Sequence, residues 1–133
     1  VFPDIVIPNK TTSMYSRLTM AQFSDGGVTR QMVQILTSGH FVRESVGSLV
    51  FNAFSEVAAQ AYPQLFDLCR EVIDQGGPVM HLCGAGPALF ALPSSEEEHH
   101  MIAELLQPHR AGVYLVNIVP PDKCGVGSLP TGD

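Results

Sequence analysis

Two short apolar segments, 79–83 and 88–92, are separated by only the four residues GAGP at 84–87. A connection of this length can close a β-hairpin but is far too short for the crossover that parallel strands need. Glycine adopts positive φ without steric cost, so Gly84 and Gly86 suit a tight turn. The spacing therefore predicts two adjacent antiparallel strands, which the remaining elements must cover.

Apolar runs near the two ends of the chain predict two more strands. The run DIVIP at 4–8 follows Pro3 and ends at Pro8. Prolines mark strand boundaries because they carry no amide hydrogen. The run GVYLVNIV at 112–119 has the strongest strand character in the chain.

Apolar residues recur at helical spacing between these strands. We expect a threonine to cap the first helix, Pro63 to open the fourth, and Ser95 with Glu98 to form a capping box. The acidic run at 96–98 complements a helix N-terminus and is not expected to be catalytic. The predicted helices lie within 9–18, from 28 to a stop at 38–39, over 46–61, from 63 to a stop at 76–78, and from 95 to a stop at 108.

The order of these elements predicts an α+β fold. With the first three helices treated as an insertion after the first strand, the order is βαββαβ, the ferredoxin-like arrangement with helices on one face of an antiparallel sheet. We expect one domain over 1–120 and a flexible tail over 121–133, which is rich in proline and glycine. Because Val1 is not a methionine and opens a strand-like segment, we also expect the chain to be a piece of a longer protein.

Charge and hydropathy exclude several classes of function. A formal net charge of −6 with seven scattered basic residues argues against nucleic acid or an anionic membrane as a partner. No apolar stretch approaches the roughly 18 residues of a transmembrane helix. We therefore expect a soluble, cytoplasmic protein.

Cysteine and histidine spacing predicts no metal site and no catalytic histidine. Cys69, Cys83 and Cys124 contain no C-x-x-C pair, which favours buried reduced thiols. His40, His81 and His109 lack a nearby carboxylate at ligand spacing, and the adjacent pair 99–100 points to different helix faces.

The segment GAGP allows two interpretations. The simpler one, which the spacing favours, is a hairpin turn. The functional one is a loop that lets a ligand approach the backbone, with the N–H groups of Gly84, Ala85, Gly86 and Ala88 as donors to an anion. The segment lacks the lysine of a Walker loop and the third glycine of a dinucleotide fingerprint.

The context of this segment resembles the GHMP kinase superfamily. Residues 84–90, GAGPALF, are similar to the third motif of that superfamily, which runs approximately G-S-G-P-T-V-F. Three further stretches resemble one branch, the kinases of 4-diphosphocytidyl-2-C-methyl-D-erythritol in non-mevalonate isoprenoid biosynthesis. They are IVIPNKTTSMYSRL, FSDGGVTRQMVQIL and FNAFSEVAAQAYPQL, and the resemblance runs in order over about 4–119.

The departures from the family pattern are local. Thr11 and Tyr15 keep the family spacing of a threonine and an aromatic residue, while Lys10 replaces a serine. Asn52 is kept, but Ala53 and Ser55 stand where the family has acidic residues, so helix packing is the simpler account of that segment. Alanines at 85 and 88 replace hydroxyl residues, which leaves only backbone groups to act in the glycine loop.

The resemblance implies a place for each candidate site residue. Thr11 and Tyr15 would bind the substrate, with its cytosine ring stacked on Tyr15, and Gly84, Ala85 and Gly86 would form the loop near the phosphates. ATP and Mg²⁺ would bind the N-terminal domain of the same polypeptide. No catalytic residue and no cofactor would belong to this chain alone, which is expected to be inactive by itself.

Two alternatives to this interpretation stay open. A different GHMP kinase, for homoserine, mevalonate or a sugar, would share the fold and the glycine loop without needing Tyr15. A non-enzymatic ferredoxin-like binding module would share the fold only.

Overall fold

The computed structural model describes residues 1–39, 42 and 46–116. Five helices and one two-stranded antiparallel sheet lie in these ranges, so the chain is a mixed helix and sheet structure, as predicted. The predicted tail at 121–133 lies outside them. The helices are α1 (Lys10–Tyr15), α2 (Gly27–Ser38), α3 (Ser55–Ala61), α4 (Pro63–Asp74) and α5 (Glu96–Leu106), and the strands are β1 (His81–Leu82) and β2 (Leu89–Phe90).

The predicted hairpin is confirmed. β1 pairs antiparallel with β2, with His81 opposite Phe90 and Leu82 opposite Leu89. Both strands are shorter than the apolar segments that contain them. Pro78 and Pro93 lie beyond the open end of the hairpin, and since neither has an amide hydrogen, neither can extend the ladder.

The prediction of a strand at 4–8 is wrong, because the pairing lies closer to the start of the chain. Val1 exchanges two backbone hydrogen bonds with Leu89, both 2.9 Å. Phe2 exchanges two more with Gly112, at 2.7 and 2.9 Å. Pro3 follows directly and lacks the hydrogen that would continue such a ladder.

The strand predicted at 112–119 is reduced to its first residue in the described range. Gly112 forms the isolated bridge to Phe2, and 113–116 have no strand pairing. The remainder of that predicted strand, 117–119, lies outside the described residues. The regular strands described are those of the hairpin, so the ferredoxin-like core stays a prediction.

Three predicted helices are confirmed together with their end signals. α2 ends at Ser38 and is followed by Gly39, whose φ is 73°, while α4 begins at Pro63 and is followed by Gly76 at φ 81°. At α5, the Ser95 hydroxyl accepts a hydrogen bond from the Glu98 amide at 3.2 Å. The Glu98 carboxylate accepts from the Ser94 amide instead of completing the box at Ser95.

The cap predicted for α1 is wrong. Asn9, not a threonine, precedes the helix, and its φ of 49° lies in the left-handed region. Its side chain makes no capping hydrogen bond. Asparagine tolerates this conformation better than most residues, which accounts for its place at the bend.

The prediction of one continuous helix over 46–61 is also wrong. The helix α3 begins only at Ser55, and 50–52 are not helical. The Asn52 carboxamide oxygen accepts a hydrogen bond from the Phe54 amide at 2.9 Å. This short side-chain turn competes with helical bonding and explains why the helix cannot run through the segment.

The core lies between the hairpin and helices α3, α4 and α5, with one residue from α1. Helix α2 buries no residue, and none of the helices in the described part is long and apolar enough to cross a membrane. The buried cluster consists of Met14, Val57, Ala58, Leu65, Leu68, Cys69, Val72, Met80, Leu82, Leu89, Ile102 and Leu106.

The two cysteines of the described part differ in burial, which corrects the prediction of uniformly buried thiols. Cys69 is buried and Cys83 is exposed. Burial raises the pKa of the Cys69 thiol to about 11, although a hydrogen bond with the backbone of Cys69 itself acts in the opposite direction. Cys124 lies outside the described residues.

We predict that Cys69 reacts more slowly with iodoacetamide at pH 8 than Cys83 does. The thiolate is the nucleophile, and a thiol of raised pKa supplies little of it. Peptide mapping by mass spectrometry would follow each cysteine, with the urea-unfolded chain as the control in which the difference disappears. Equal rates in the folded chain would contradict the burial of Cys69.

Candidate functional site

Three segments that are distant in the sequence meet at the turn of the hairpin. The Lys10 ammonium, at the start of α1, donates a hydrogen bond to the Gly86 carbonyl oxygen at 2.5 Å. The Asn52 carboxamide donates to the carbonyl oxygens of Leu82 and Gly84, both at 2.8 Å. We call 83–88, with the side chains that contact it, the glycine-turn cluster.

The turn itself is a tight turn that needs glycine. The Gly86 amide donates to the Cys83 carbonyl oxygen at 2.9 Å, and the Cys83 amide donates to Ala88 at 2.8 Å. Gly84 has φ 53° while Ala85 does not have positive φ, the pattern of a type II′ hairpin turn. The predicted hairpin turn is therefore confirmed.

Gly86 is constrained by space as well as by its φ of 77°. A Cβ atom at this position would lie 2.9 Å from Leu82 Cδ1 and 3.7 Å from Leu65 Cδ2. Both leucines belong to the buried cluster. The turn is therefore packed directly on the core and is not a free surface loop.

The predicted backbone donors of the turn are only partly available. The Gly86 amide is already bonded to Cys83, so its prediction as a donor to a ligand is wrong. The amides of Gly84, Ala85 and Ala88 form no hydrogen bond with any residue in the described ranges.

Several carbonyl oxygens of the turn, in contrast, accept hydrogen bonds. Those of Leu82 and Gly84 accept from Asn52, that of Cys83 accepts from the Gly86 amide, and that of Gly86 accepts from Lys10. Within the described structure, three amides and the carbonyl oxygens of Ala85 and Pro87 stay open. The open amides are donors suited to an anion.

Tyr15 connects to the same cluster through an aromatic contact. Its ring centroid lies 5.0 Å from that of Phe54, and the planes cross at 74°. The Tyr15 side chain is 61% exposed, so much of the ring can still receive a ligand. Edge-to-face pairing of this kind fixes the ring orientation and contributes about 0.5–1.5 kcal/mol.

Thr11 is the predicted site residue with the least structural support. It is exposed, and its hydroxyl makes no hydrogen bond to a described residue. It shares α1 with Lys10 and Tyr15, which places it on the same helix as the cluster.

Two residues of the cluster, and Phe54 beside it, have roles that the sequence interpretation misses. That interpretation assigns the segment of Asn52 to helix packing and treats Lys10 as a departure from a family serine. It places Phe54 only within the predicted helix over 46–61. The sequence does contain one signal for the role of Asn52, because asparagine side chains bond nearby backbone groups and so disfavour a continuous helix. Nothing in the sequence indicated the long-range contacts from Lys10.

Histidine geometry supplies one further correction. His109 Nε2 lies 2.9 Å from Glu71 Oε2, so this histidine does have a carboxylate neighbour. Burial lowers the pKa of His81, and His40 lies outside the described residues. Within the ranges that the structure describes, no group of three His, Cys, Asp or Glu side chains could hold a metal ion.

Comparison with known proteins gives one consistent similarity. The chain is 29% identical over 117 residues to 4-diphosphocytidyl-2-C-methyl-D-erythritol kinase of Dehalococcoides mccartyi strain BAV1, covering 85% of this chain and 38% of that protein. The enzyme of the same name from strain 195 is 28% identical over 120 residues, or 90% of this chain and 41% of the relative.

A relative from a second bacterial genus has the same name. The 4-diphosphocytidyl-2-C-methyl-D-erythritol kinase of Brevibacillus brevis is 27% identical over 111 residues, which cover 82% of this chain and 37% of the relative. The chain thus spans about two fifths of the length of the curated relatives it matches. No family model and no solved structure matches it.

We predict that Gly86→Ala destabilises the chain by about 1–3 kcal/mol more than Gly76→Ala does, because its methyl group must also displace Leu82. Gly76 is the matched control, since its φ is 81° and nothing lies within 4 Å of its would-be Cβ. Urea unfolding followed by circular dichroism measures both variants. Equal losses of stability would show that Gly86 is strained but not packed.

Asn52→Asp is expected to destabilise the chain by about 1–3 kcal/mol above pH 6, because a carboxylate would face two carbonyl oxygens without a hydrogen to donate. The control is Asn9→Asp, an equally small change at an exposed residue whose left-handed φ aspartate also tolerates. Thermal unfolding compares the two. A stable Asn52→Asp variant would refute the bridging role.

Proposed function

We propose that the chain is the substrate-binding C-terminal domain of a 4-diphosphocytidyl-2-C-methyl-D-erythritol kinase, an enzyme that transfers phosphate from ATP to an alcohol group of that compound in isoprenoid biosynthesis. The chain is similar over most of its length to proteins of that name. The shared name of these relatives is the observation that carries the proposal, and the glycine-turn cluster supports it physically. In this proposal the protein is a cytoplasmic enzyme of small-molecule metabolism.

The exposed ring of Tyr15 is suited to a nucleobase. A cytosine stacked on it would gain about 1–3 kcal/mol, the usual contribution of base stacking on an aromatic side chain. The edge contact with Phe54 orients the ring before a ligand arrives, which reduces the entropy lost on binding. Thr11, one residue after Lys10 on the same helix, would contribute a hydroxyl to the same substrate.

The glycine turn is suited to phosphate oxygens. The open amides of Gly84 and Ala85 are backbone donors on residues whose own side chains are no larger than a methyl group. Phosphoryl transfer depends on positioning and on electrostatic stabilisation by a phosphate cradle and Mg²⁺. We place those groups, and ATP itself, in an N-terminal domain of the same polypeptide, so this chain alone is not expected to transfer phosphate.

The backbone pairing supports a ferredoxin-like core for this domain. Gly112 pairs with Phe2, Val1 pairs with Leu89, and β2 pairs with β1. The first and last predicted strands would therefore lie side by side, with the first also next to β2. This lateral order is compatible with a βαββαβ sheet, in which the outer elements are shorter than predicted.

In the whole kinase, Tyr15→Ala is predicted to raise the KM for the cytidine substrate roughly 5- to 150-fold, the loss of about 1–3 kcal/mol of stacking. Tyr15→Phe should be nearly silent because the stacking face survives. The KM for ATP should hardly change. Steady-state kinetics of the three proteins measure these values.

The control for unspecific damage is the thermal stability of the Tyr15→Ala protein. An unchanged KM for the cytidine substrate in a folded variant would reject the stacking role. It would favour a kinase of another small molecule, or a binding module without kinase activity.

A further inference from the structure

Lys10 is a cation in an unusual place for a chain of net charge −6. Its ammonium is part-buried and bonds to a neutral acceptor, the Gly86 carbonyl oxygen, 76 residues away in the sequence. The ion pairs formed among described residues join Arg30 to Asp25, Arg70 to Asp67, and His109 to Glu71, and none of them includes Lys10.

The bond to Gly86 leaves much of the charge of Lys10 uncompensated. An ammonium carries three donor hydrogens, and the one directed at Gly86 uses only one of them. Partial burial removes hydration, which a single carbonyl restores incompletely. A neutral donor could make the same hydrogen bond, so the positive charge of Lys10 stays available to an anionic ligand.

Backbone amides near this ammonium also present partial positive charge. The carbonyl oxygens of Cys83, Gly84 and Gly86 are occupied by protein donors, whereas the amides of Gly84, Ala85 and Ala88 are open in the described structure. Fixed amide donors and one held ammonium on the same short loop together form a region of positive potential.

We propose that Lys10 is a phosphate-binding residue, whose ammonium is held at the glycine turn by Gly86 and there contacts a phosphate oxygen of the ligand. This deepens the proposed function, on which it rests, by naming a cationic specificity residue. Lys10 precedes Tyr15 by five residues of helix, about 7.5 Å along the axis. In this proposal, a base on Tyr15 and a phosphate at Lys10 belong to one nucleotide.

The phosphate group has two sources, the diphosphate of the cytidine substrate or the phosphates of ATP. The shared chemistry is a phosphate oxyanion, and the test separates the sources. NMR titrations of the 133-residue chain with cytidine, cytidine diphosphate, adenosine diphosphate and inorganic diphosphate would compare the wild type with Lys10→Gln and Lys10→Arg. The control is Arg17→Gln, which removes the same charge from an exposed side chain just after α1.

We expect Lys10→Gln to weaken binding of cytidine diphosphate and inorganic diphosphate at least about tenfold, while cytidine binds as in the wild type. Glutamine can still donate to Gly86, so a loss confined to phosphate-bearing ligands reports the charge and not the tether. Lys10→Arg should retain most of the affinity, and Arg17→Gln all of it. A loss for adenosine diphosphate alone would assign the contact to ATP.

Three outcomes would overturn the proposal. They are equal affinity of Lys10→Gln and the wild type for inorganic diphosphate, an equal loss in Arg17→Gln, and no diphosphate binding by the wild type. The second and third of these outcomes would overturn the proposal whether or not cytidine binds. Diphosphate binding that depends on Lys10 without any binding of cytidine would instead retain the phosphate contact and reject the cytidine kinase.

Discussion

The packing of Gly86 on the core is the constraint on which the rest of the site depends. With no side chain, this residue lets the turn approach Leu82 and Leu65, where a Cβ would lie 2.9 Å from a leucine methyl group. The same residue donates its amide to Cys83 and accepts from Lys10 with its carbonyl. The turn is therefore fixed to the core by the packing of Gly86 and to α1 by the Lys10 side chain. It cannot move without disturbing both contacts.

The sequence predicts those parts of the fold that local patterns determine. The hairpin follows from four residues between apolar segments, and α4 follows from its apolar stripe between Pro63 and the Gly76 stop. The failures are elements decided by distant contacts. The helix over 46–61 is interrupted at Asn52, whose side chain bonds the Phe54 amide and also Leu82 and Gly84, thirty and thirty-two residues away. Periodicity contains no information about those distant carbonyls.

The candidate site likewise contains residues that the sequence predicts and residues that only the structure reveals. Tyr15 and the glycine turn were predicted because they match a family pattern, and the turn's conformation was predictable from glycine alone. Lys10 and Phe54 could not be found from the sequence, since their importance comes from partners that the fold brings to them. Local chemistry thus identified the surfaces available to a ligand, whereas only three-dimensional contacts identified the residues that hold those surfaces in place.

These holding contacts form a closed series. Tyr15 packs on Phe54, whose amide donates a hydrogen bond to the Asn52 side chain. The Asn52 side chain in turn donates to the glycine turn. Lys10, which lies on the same helix as Tyr15, also donates to the turn. The proposed base site on Tyr15 and the proposed phosphate site at the turn are therefore connected by two independent routes. Because preorganised groups lose little entropy when a ligand arrives, this arrangement favours a ligand that spans both sites over one that occupies either alone. A nucleoside diphosphate has that form, with a flat base at one end and charged oxygens at the other.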